Sequence, residues 1–336
     1  MNILFIKTSS LGDVVHNLPV INDILQFANI REHINFDWCV EKSFSDIVRL
    51  HPKIRNICEV NLRSWKKNII SSQTWKAFFS FKQQLQSEQY DYIIDTQGLL
   101  KSAILAKLAN GKKYSYDKTS IRESIAANFY DFNYFVDTQL HAVNRNRLLV
   151  ANVFDYNNNS DFQNTLNSPD YGIKNHLTKH QNQNLTWLQN KNSQNKKIIT
   201  FLTATSRDDK LWANENWISL GNHFSQDGFF IVLPAGSNAE RQRAEQLSQQ
   251  IPNSLVAPPL DLQTLAILLN SSTATIGVDT GLTHLSLALE IPTIAIYTAT
   301  NPQLTGVFGR GKFANVGNIG QIPTPTEILQ IFTQML

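Results

Sequence analysis

Two cysteines, Cys39 and Cys58, are all that 336 residues contain. That scarcity excludes a disulfide framework and a cysteine-rich zinc site. Both thiols sit in apolar runs, which predicts buried free cysteines in a reducing compartment. Long hydrophobic runs are lacking as well. No stretch of about 18 apolar residues exists, so no membrane-spanning helix is expected. The opening Met1-Asn2-Ile3-Leu4-Phe5-Ile6-Lys7 is too short and too early for a secretory leader and reads instead as a buried strand. The usual nucleophile and metal motifs are missing: no GxSxG, no HExxH and no plausible Cys–His pair. Neither a Walker loop nor a GxGxxG turn is present, and no repeat of about 20–50 residues is visible.

The composition is that of an ordinary globular chain, 42% hydrophobic and 17% charged. The length suits about two domains of roughly 100–200 residues each. A net charge of +3 is small but unevenly placed. Residues 1–165 hold 19 Lys/Arg and 16 Asp/Glu, whereas residues 166–336 hold 11 of each. Residues 53–82 alone carry seven basic residues against the single acid Glu59. Such a local excess marks either an anionic partner or a solvated helix face. No nucleic-acid motif accompanies it, so nucleic acid is not expected as the partner.

Short apolar runs alternate with helical patterns. Strands are expected at 3–6, 36–40, 92–94 and 113–116, with helices at 14–27, 43–50, 73–86 and 99–108. A second series follows, with strands at 198–202, 229–233, 275–278 and 293–297 and helices at 212–225, 239–250, 262–269 and 282–289. Alternation of this kind argues for βαβ units and parallel sheets. Residues 151–197 break the pattern, being rich in Asn from Asn157 onward, with Ser168-Pro169-Asp170 inside them and a polar helix expected around 181–190. The expectation is an α/β protein of two doubly wound domains, 1–165 and 181–320, joined by a linker at 166–180. Residues 321–336 are expected to form a C-terminal helix packing back toward the first domain. Two such domains leave a cleft between the carboxyl ends of their sheets, where open α/β sheets bind ligands.

Three strand-to-helix loops can carry chemistry. In Lys7-Thr8-Ser9-Ser10-Leu11-Gly12-Asp13, Gly12 permits close backbone approach and Asp13 is either a general base or a helix cap. In Asp279-Thr280-Gly281-Leu282-Thr283-His284, the helix start favours a diphosphate, and His284 lies one turn behind it. In Thr205-Ser206-Arg207-Asp208-Asp209-Lys210, two hydroxyls and two cations suit phosphate. The adjacent acids must pair with those cations, cap the helix or hold a metal. Glu240 opens a later helix, where a carboxylate either holds ribose hydroxyls or favours the helix dipole.

Together KTSSLGDVVHNLP at 7–19, DTQGLLKSA at 95–103, TSRDDKLW at 205–212 and VDTGLTHL at 278–285 resemble the bacterial lipopolysaccharide heptosyltransferases, of the ADP-heptose glycosyltransferase family. The segments occur in the family's order over most of the chain. The first and third of them favour the type I branch over types II and III. The resemblance implies the two-domain GT-B architecture, with Rossmann-like domains facing a central cleft. It also implies an inverting, metal-independent transfer with no cofactor. The implied donor is ADP-L-glycero-β-D-manno-heptose, and the implied acceptor is the Kdo of Kdo-lipid A. The implied setting is a monomer held peripherally on the anionic cytoplasmic face of the inner membrane. By the resemblance Asp13 is the base. Thr205, Ser206, Lys210, Glu240, Asp279, Thr280, Gly281 and His284 face the donor, and Gly12, Arg63, Lys66, Lys67, Arg122 and His141 the acceptor. The chain departs from the family at Tyr297-Thr298-Ala299, where Gly usually follows the Tyr. A related transferase of different donor or acceptor, and a non-catalytic nucleotide-sugar-binding paralogue, are the alternatives.

Overall fold

The computed structural model describes residues 1–177 and 185–335. The chain divides into two compact units, Met1–Leu166 and the residues from Asn167 onward. The first is built on β1 (Asn2–Ile6), β2 (Asn35–Glu41), β3 (Ile54–Val60), β4 (Gln89–Asp95), β5 (Asn110–Tyr116) and β6 (Phe132–Tyr134). These form one sheet in the order β3-β2-β1-β4-β5-β6, parallel throughout. The second unit is built on β7 (Ile198–Leu202), β8 (Phe230–Leu233), β9 (Ser254–Val256), β10 (Ala274–Val278), β11 (Thr293–Tyr297) and β12 (Phe313–Gly317). Its parallel order, β12-β11-β10-β7-β8-β9, repeats the first topology. In each sheet the strand order reverses between the first and fourth strands, which is where such sheets leave a crevice for ligands.

The central strands are apolar along their whole length because helices cover both faces. Ile3, Leu4, Phe5 and Ile6 are all fully buried, with Phe5 in register with Trp38 on one side and Ile94 on the other. The helix expected over 14–27 is two, Leu11–Val15 and Pro19–Phe27. Pro19 has no N–H for the carbonyl four residues back, and its ring clashes there, so it opens the second helix instead. Helix Ala142–Val153 was not expected, because Asn146 and Arg147 interrupt its apolar face. Both are buried and polar by design: Asn146 accepts from the Tyr116 hydroxyl at 2.9 Å, and Arg147 forks onto Asp23 at 2.7 and 2.9 Å. Cys39 and Cys58 are buried and free, paired in register across β2 and β3.

Much of the stretch expected as a linker is strapped to the second unit. Arg310 reaches Asp170 and the Ser168 carbonyl, and Tyr171 donates to the Phe308 carbonyl. Of the helix expected around 181–190, residues 181–184 lie outside the described residues, and a helix runs over Thr186–Lys191. The C-terminal helix, Pro325–Met335, corrects the expectation that it packs toward the first domain. It places Ile328, Phe332 and Met335 in the second core beside Trp217 and Phe224, because its apolar stripe complements helix Asn214–Gln226. No described helix is long and apolar enough to cross a membrane.

Candidate functional site

In the first unit the two loops at the switch point meet. Lys7 follows β1 directly, and its ammonium donates to the Thr96 carbonyl beyond β4 at 2.7 Å. Gln97 Oε1 accepts the amides of Thr8 and Ser9 at 3.1 and 3.2 Å. Gly98, at φ +66°, turns the second loop, and an added Cβ would lie 2.8 Å from Ile121 Cγ1. Asp95 is fully buried beneath this turn, where it accepts from the Gln97 and Gly98 amides and from the Tyr130 hydroxyl at 2.7 Å. Burial raises its carboxyl above the ordinary range.

Asp13 sits at the third position of its short helix, and its Oδ2 accepts from the Ser10 amide at 2.9 Å and hydroxyl at 3.1 Å. It therefore does cap the helix. It also lines a small pocket with Lys7, Thr96, Gln97, Tyr116, Arg122, Arg145 and Asn146. Burial works against its ionisation, but Lys7, Arg122 and the Ser10 hydrogen bonds outweigh burial and hold the carboxyl below its usual range. Lys7 is pushed down to about 8, chiefly by burial, with Asp13 and Asp95 opposing and Arg122 and Arg145 adding to the fall.

The acceptor-side residues are only partly brought together. Gly12 and Arg122 belong with Asp13. His141 caps helix Ala142–Val153, its Nδ1 accepting from the Val143 amide at 3.2 Å and its ring 5.7 Å from that of His16. Arg63 lies in the first turn of helix Leu62–Lys67, whose first amides lie against Glu41 at the end of β2. Lys66 and Lys67 project from that helix into solvent. Trp65 turns inward instead, its ring edge-on to Phe78 and Phe81 at 5.8 and 5.7 Å.

In the second unit the loops after β7, β10 and β11 converge on Asp279. Its Oδ2 accepts from Lys210 Nζ at 2.7 Å and from the Thr300 hydroxyl at 2.6 Å, while Oδ1 stands 3.7 Å from His284 Nε2. Burial again opposes ionisation, but His284, Lys210 and Thr300 together hold this carboxyl far below its usual range. Thr205 donates to the Asp279 carbonyl at 3.0 Å, and Ser206 is exposed on the same loop. Arg207 pairs with Asp209. Thr280 precedes helix Gly281–Ala288, whose first amides have no partner within the helix and whose dipole favours an anion. Glu240 Oε2 accepts from the Gly236 and Ser237 amides at 2.7 and 3.1 Å, a capping box at the start of helix Asn238–Ser248. Among the described residues no group of three His, Cys, Asp or Glu forms a metal cluster.

The family model described as Glycosyltransferase family 9 (heptosyltransferase) matches residues 78–327. The chain is 36% identical over 313 residues to lipopolysaccharide heptosyltransferase 1 of Escherichia coli strain K12, covering 93% of this chain and 92% of the relative. The protein belongs to glycosyltransferase family 9. The solved structure of the E. coli heptosyltransferase WaaC with ADP is 33% identical, covers all of both chains and superposes with a TM-score of 0.87. The same enzyme with ADP-2-deoxy-2-fluoro heptose is 32% identical over 99% of both chains, with a TM-score of 0.86. The architecture is thus the GT-B fold and the protein a glycosyltransferase of the heptosyltransferase family.

Sequence reasoning missed several residues that build this transferase's loops. Lys7, Gln97 and Thr96 tie the two first-unit loops together, and the clue was their position just past β1 and β4. Arg243 spans the second-unit loops, donating to Asn214 Oδ1, the Thr203 carbonyl and the Trp212 carbonyl at 2.8, 2.8 and 2.6 Å. It leaves no signature in sequence, because its partners are mostly backbone. Thr298 was visible only as a departure from Gly, and Thr300 not at all. Thr298 donates to the Asp209 carbonyl at 2.9 Å, so the hydroxyl fastens one loop to the other where Gly could not.

Proposed function

We propose that this glycosyltransferase moves L-glycero-D-manno-heptose from ADP-L-glycero-β-D-manno-heptose to the Kdo of Kdo-lipid A, with inversion, in lipopolysaccharide inner-core assembly. The observation that carries the reading is that the family-specific loops fold at the switch points of their sheets with complementary charge. The first unit offers an ionised carboxylate among cations. The second offers a helix N-terminus beside a fixed ammonium.

Asp13 takes the proton from the acceptor hydroxyl as that oxygen bonds to the anomeric carbon. The bond from that carbon to the diphosphate breaks, and ADP leaves with the electron pair. A base that is ionised at neutral pH and within reach of the hydroxyl typically contributes about 10²–10⁴-fold. Thr205, Ser206, Lys210, Thr280, Gly281 and His284 bind the diphosphate and heptose, and Glu240 serves the adenosine ribose. Asp279 positions Lys210, whose remaining N–H groups can meet the diphosphate as its charge grows. A cation and a helix dipole do there what a divalent metal does elsewhere, so the transfer requires none. Gly12, Arg63, Lys66, Lys67, Arg122 and His141 receive the acidic acceptor. The protein works as a monomer bound peripherally to the anionic cytoplasmic face of the inner membrane, and nucleic acid is not a partner.

The test is transfer by the purified protein from ADP-heptose to Kdo-lipid A in EDTA, followed by ADP release and the mass of the product. One added heptose with chelator present is the expected result. Loss of transfer on chelation, restored by Mg²⁺, would place a metal at the diphosphate. ADP release without a heptosylated Kdo would remove the acceptor assignment.

A further inference from the structure

Residues 60–87 contain Arg63, Lys66, Lys67, Lys76 and Lys82 and not one acid. Within that span the chain forms helix Leu62–Lys67, a turn, and helix Ser72–Gln86. Its buried side is well provided for: Phe81 and Leu85 are in the core, and Trp65 packs on Phe78 and Phe81. Part of the outer side is apolar, unlike an ordinary solvated helix face. Ile70 is 95% exposed, Ile69 62%, Phe79 59% and Trp75 48%. Trp75 and Phe79 are one helical turn apart, their rings 6.2 Å from each other. Four large apolar groups gathered at one turn and one helix face form a patch that a lone soluble surface rarely carries without a partner.

Part of the turn's hydrogen bonding is internal. Trp75 Nε1 donates to the Ile69 carbonyl at 2.9 Å, the Ser71 amide to the Asn68 carbonyl at 3.0 Å, and the Asn68 amide to the Ser64 carbonyl at 3.1 Å. Each pair made inside the turn lowers the cost of moving it from water to the headgroup level of a bilayer. The cations lie close in sequence on either side of the apolar residues, as in interfacial helices that bind anionic lipid.

We infer that the turn at residues 68–71, with Trp75 and Phe79, inserts into the surface of an anionic phospholipid bilayer while Lys66, Lys67, Lys76 and Lys82 meet the headgroups. This deepens the peripheral-membrane reading above and rests on it. It assigns the docking to apolar side chains that have no part in the transfer site.

The test uses the full chain and vesicles of phosphatidylglycerol and phosphatidylethanolamine. Ile69→Ser with Ile70→Ser should weaken vesicle binding at least tenfold, while kcat/KM for an acceptor without acyl chains stays within twofold of wild type. Both side chains are exposed, so the fold should survive, with circular dichroism as the check. Brominated acyl chains should quench the tryptophan fluorescence of the wild type, and Trp75→Phe should remove most of that quenching. Unchanged vesicle affinity in the double variant would overturn the inference. So would quenching indifferent to Trp75→Phe, or a wild-type dimer in sedimentation that the double variant dissolves, since the patch would then cover a second copy. If the wild type docks through these residues yet transfers no heptose, the inference stands and the proposed function fails.

Discussion

At Asp13 one carboxylate oxygen takes both Ser10 hydrogen bonds, so the same side chain secures a helix start and stands ionised in the pocket. Asp13→Asn separates the two roles. An amide oxygen can still accept from Ser10, so thermal stability should change by less than about 1 kcal/mol. Transfer should fall about 10²–10⁴-fold with ADP-heptose affinity intact, because an amide cannot take the proton. Near-normal turnover of the variant would leave only the cap. Lys7 supplies a pH test. Its folded pKa of about 8 lies below the roughly 10.4 of an unfolded lysine, so between those values the unfolded chain holds a proton the folded chain has released. Its contribution to stability therefore rises with pH across that window, and at pH 7 burying the ammonium costs about 3 kcal/mol. Lys7→Met should abolish that rise. Urea unfolding of both proteins at pH 7 and pH 10 should show wild type gaining on the variant by roughly 2–3 kcal/mol. A constant difference would mean that Lys7 does not titrate there. At this scale the sequence revealed what is chemically conspicuous, such as an acid after Gly12 or a His behind Asp279. Lys7 and Arg243 escaped because a lysine or arginine declares its role only through the carbonyls it reaches.

Helix Gly281–Ala288 is drawn against its sheet by Gly277. A Cβ at Gly277 would stand 2.3 Å from Thr283 Oγ1 and 2.9 Å from Leu202 Cβ, and Thr283 itself bonds the Val278 carbonyl at 2.7 Å. Gly277→Ala must therefore push the helix start off β10, which should cost about 1–3 kcal/mol. Because that helix start is the proposed diphosphate site, KM for ADP-heptose should also rise, and adding Thr283→Ala should recover part of the stability. An Ala variant as stable as wild type, by urea midpoint, would show that the helix start yields freely. Among the strands, legibility followed burial. β7 and β11 match the apolar runs at 198–202 and 293–297 because central parallel strands are apolar on both faces. β6 and β9, three residues each and without a fully buried position, leave no such run. β3 was missed because Arg55 and Asn56 break its pattern, with Arg55 paired to the buried Asp37.

Across the whole chain the two units share a topology but not a charge. The residues before 166 carry all of the excess positive charge, and those after it are balanced. Under the proposed function the acceptor is an acidic glycolipid, so the strongest anionic surface is met on the acceptor side. Arg63, Lys66 and Lys67 stand where that charge is densest. Arginine can grip a carboxylate with two N–H groups, whereas the lysines act as point charges. Lys66→Glu with Lys67→Glu reverses two exposed charges without touching the core, because Trp65 alone of that helix's aromatic and charged residues turns inward. With an acceptor stripped of its acyl chains, which removes any contribution from membrane docking, KM for the acceptor should rise about tenfold at low salt, equivalent to roughly 1.4 kcal/mol. Screening acts over about 8–10 Å at physiological ionic strength. The penalty should therefore shrink to a few-fold there and nearly vanish near 1 M salt. KM for ADP-heptose, whose proposed site lies in the balanced second unit, should hold within twofold throughout. An acceptor KM unchanged at low salt would remove these lysines from the acceptor surface and leave Arg122 and Lys101 to carry it, since Lys101 already reaches Ser9 Oγ at 3.1 Å beside the Asp13 loop.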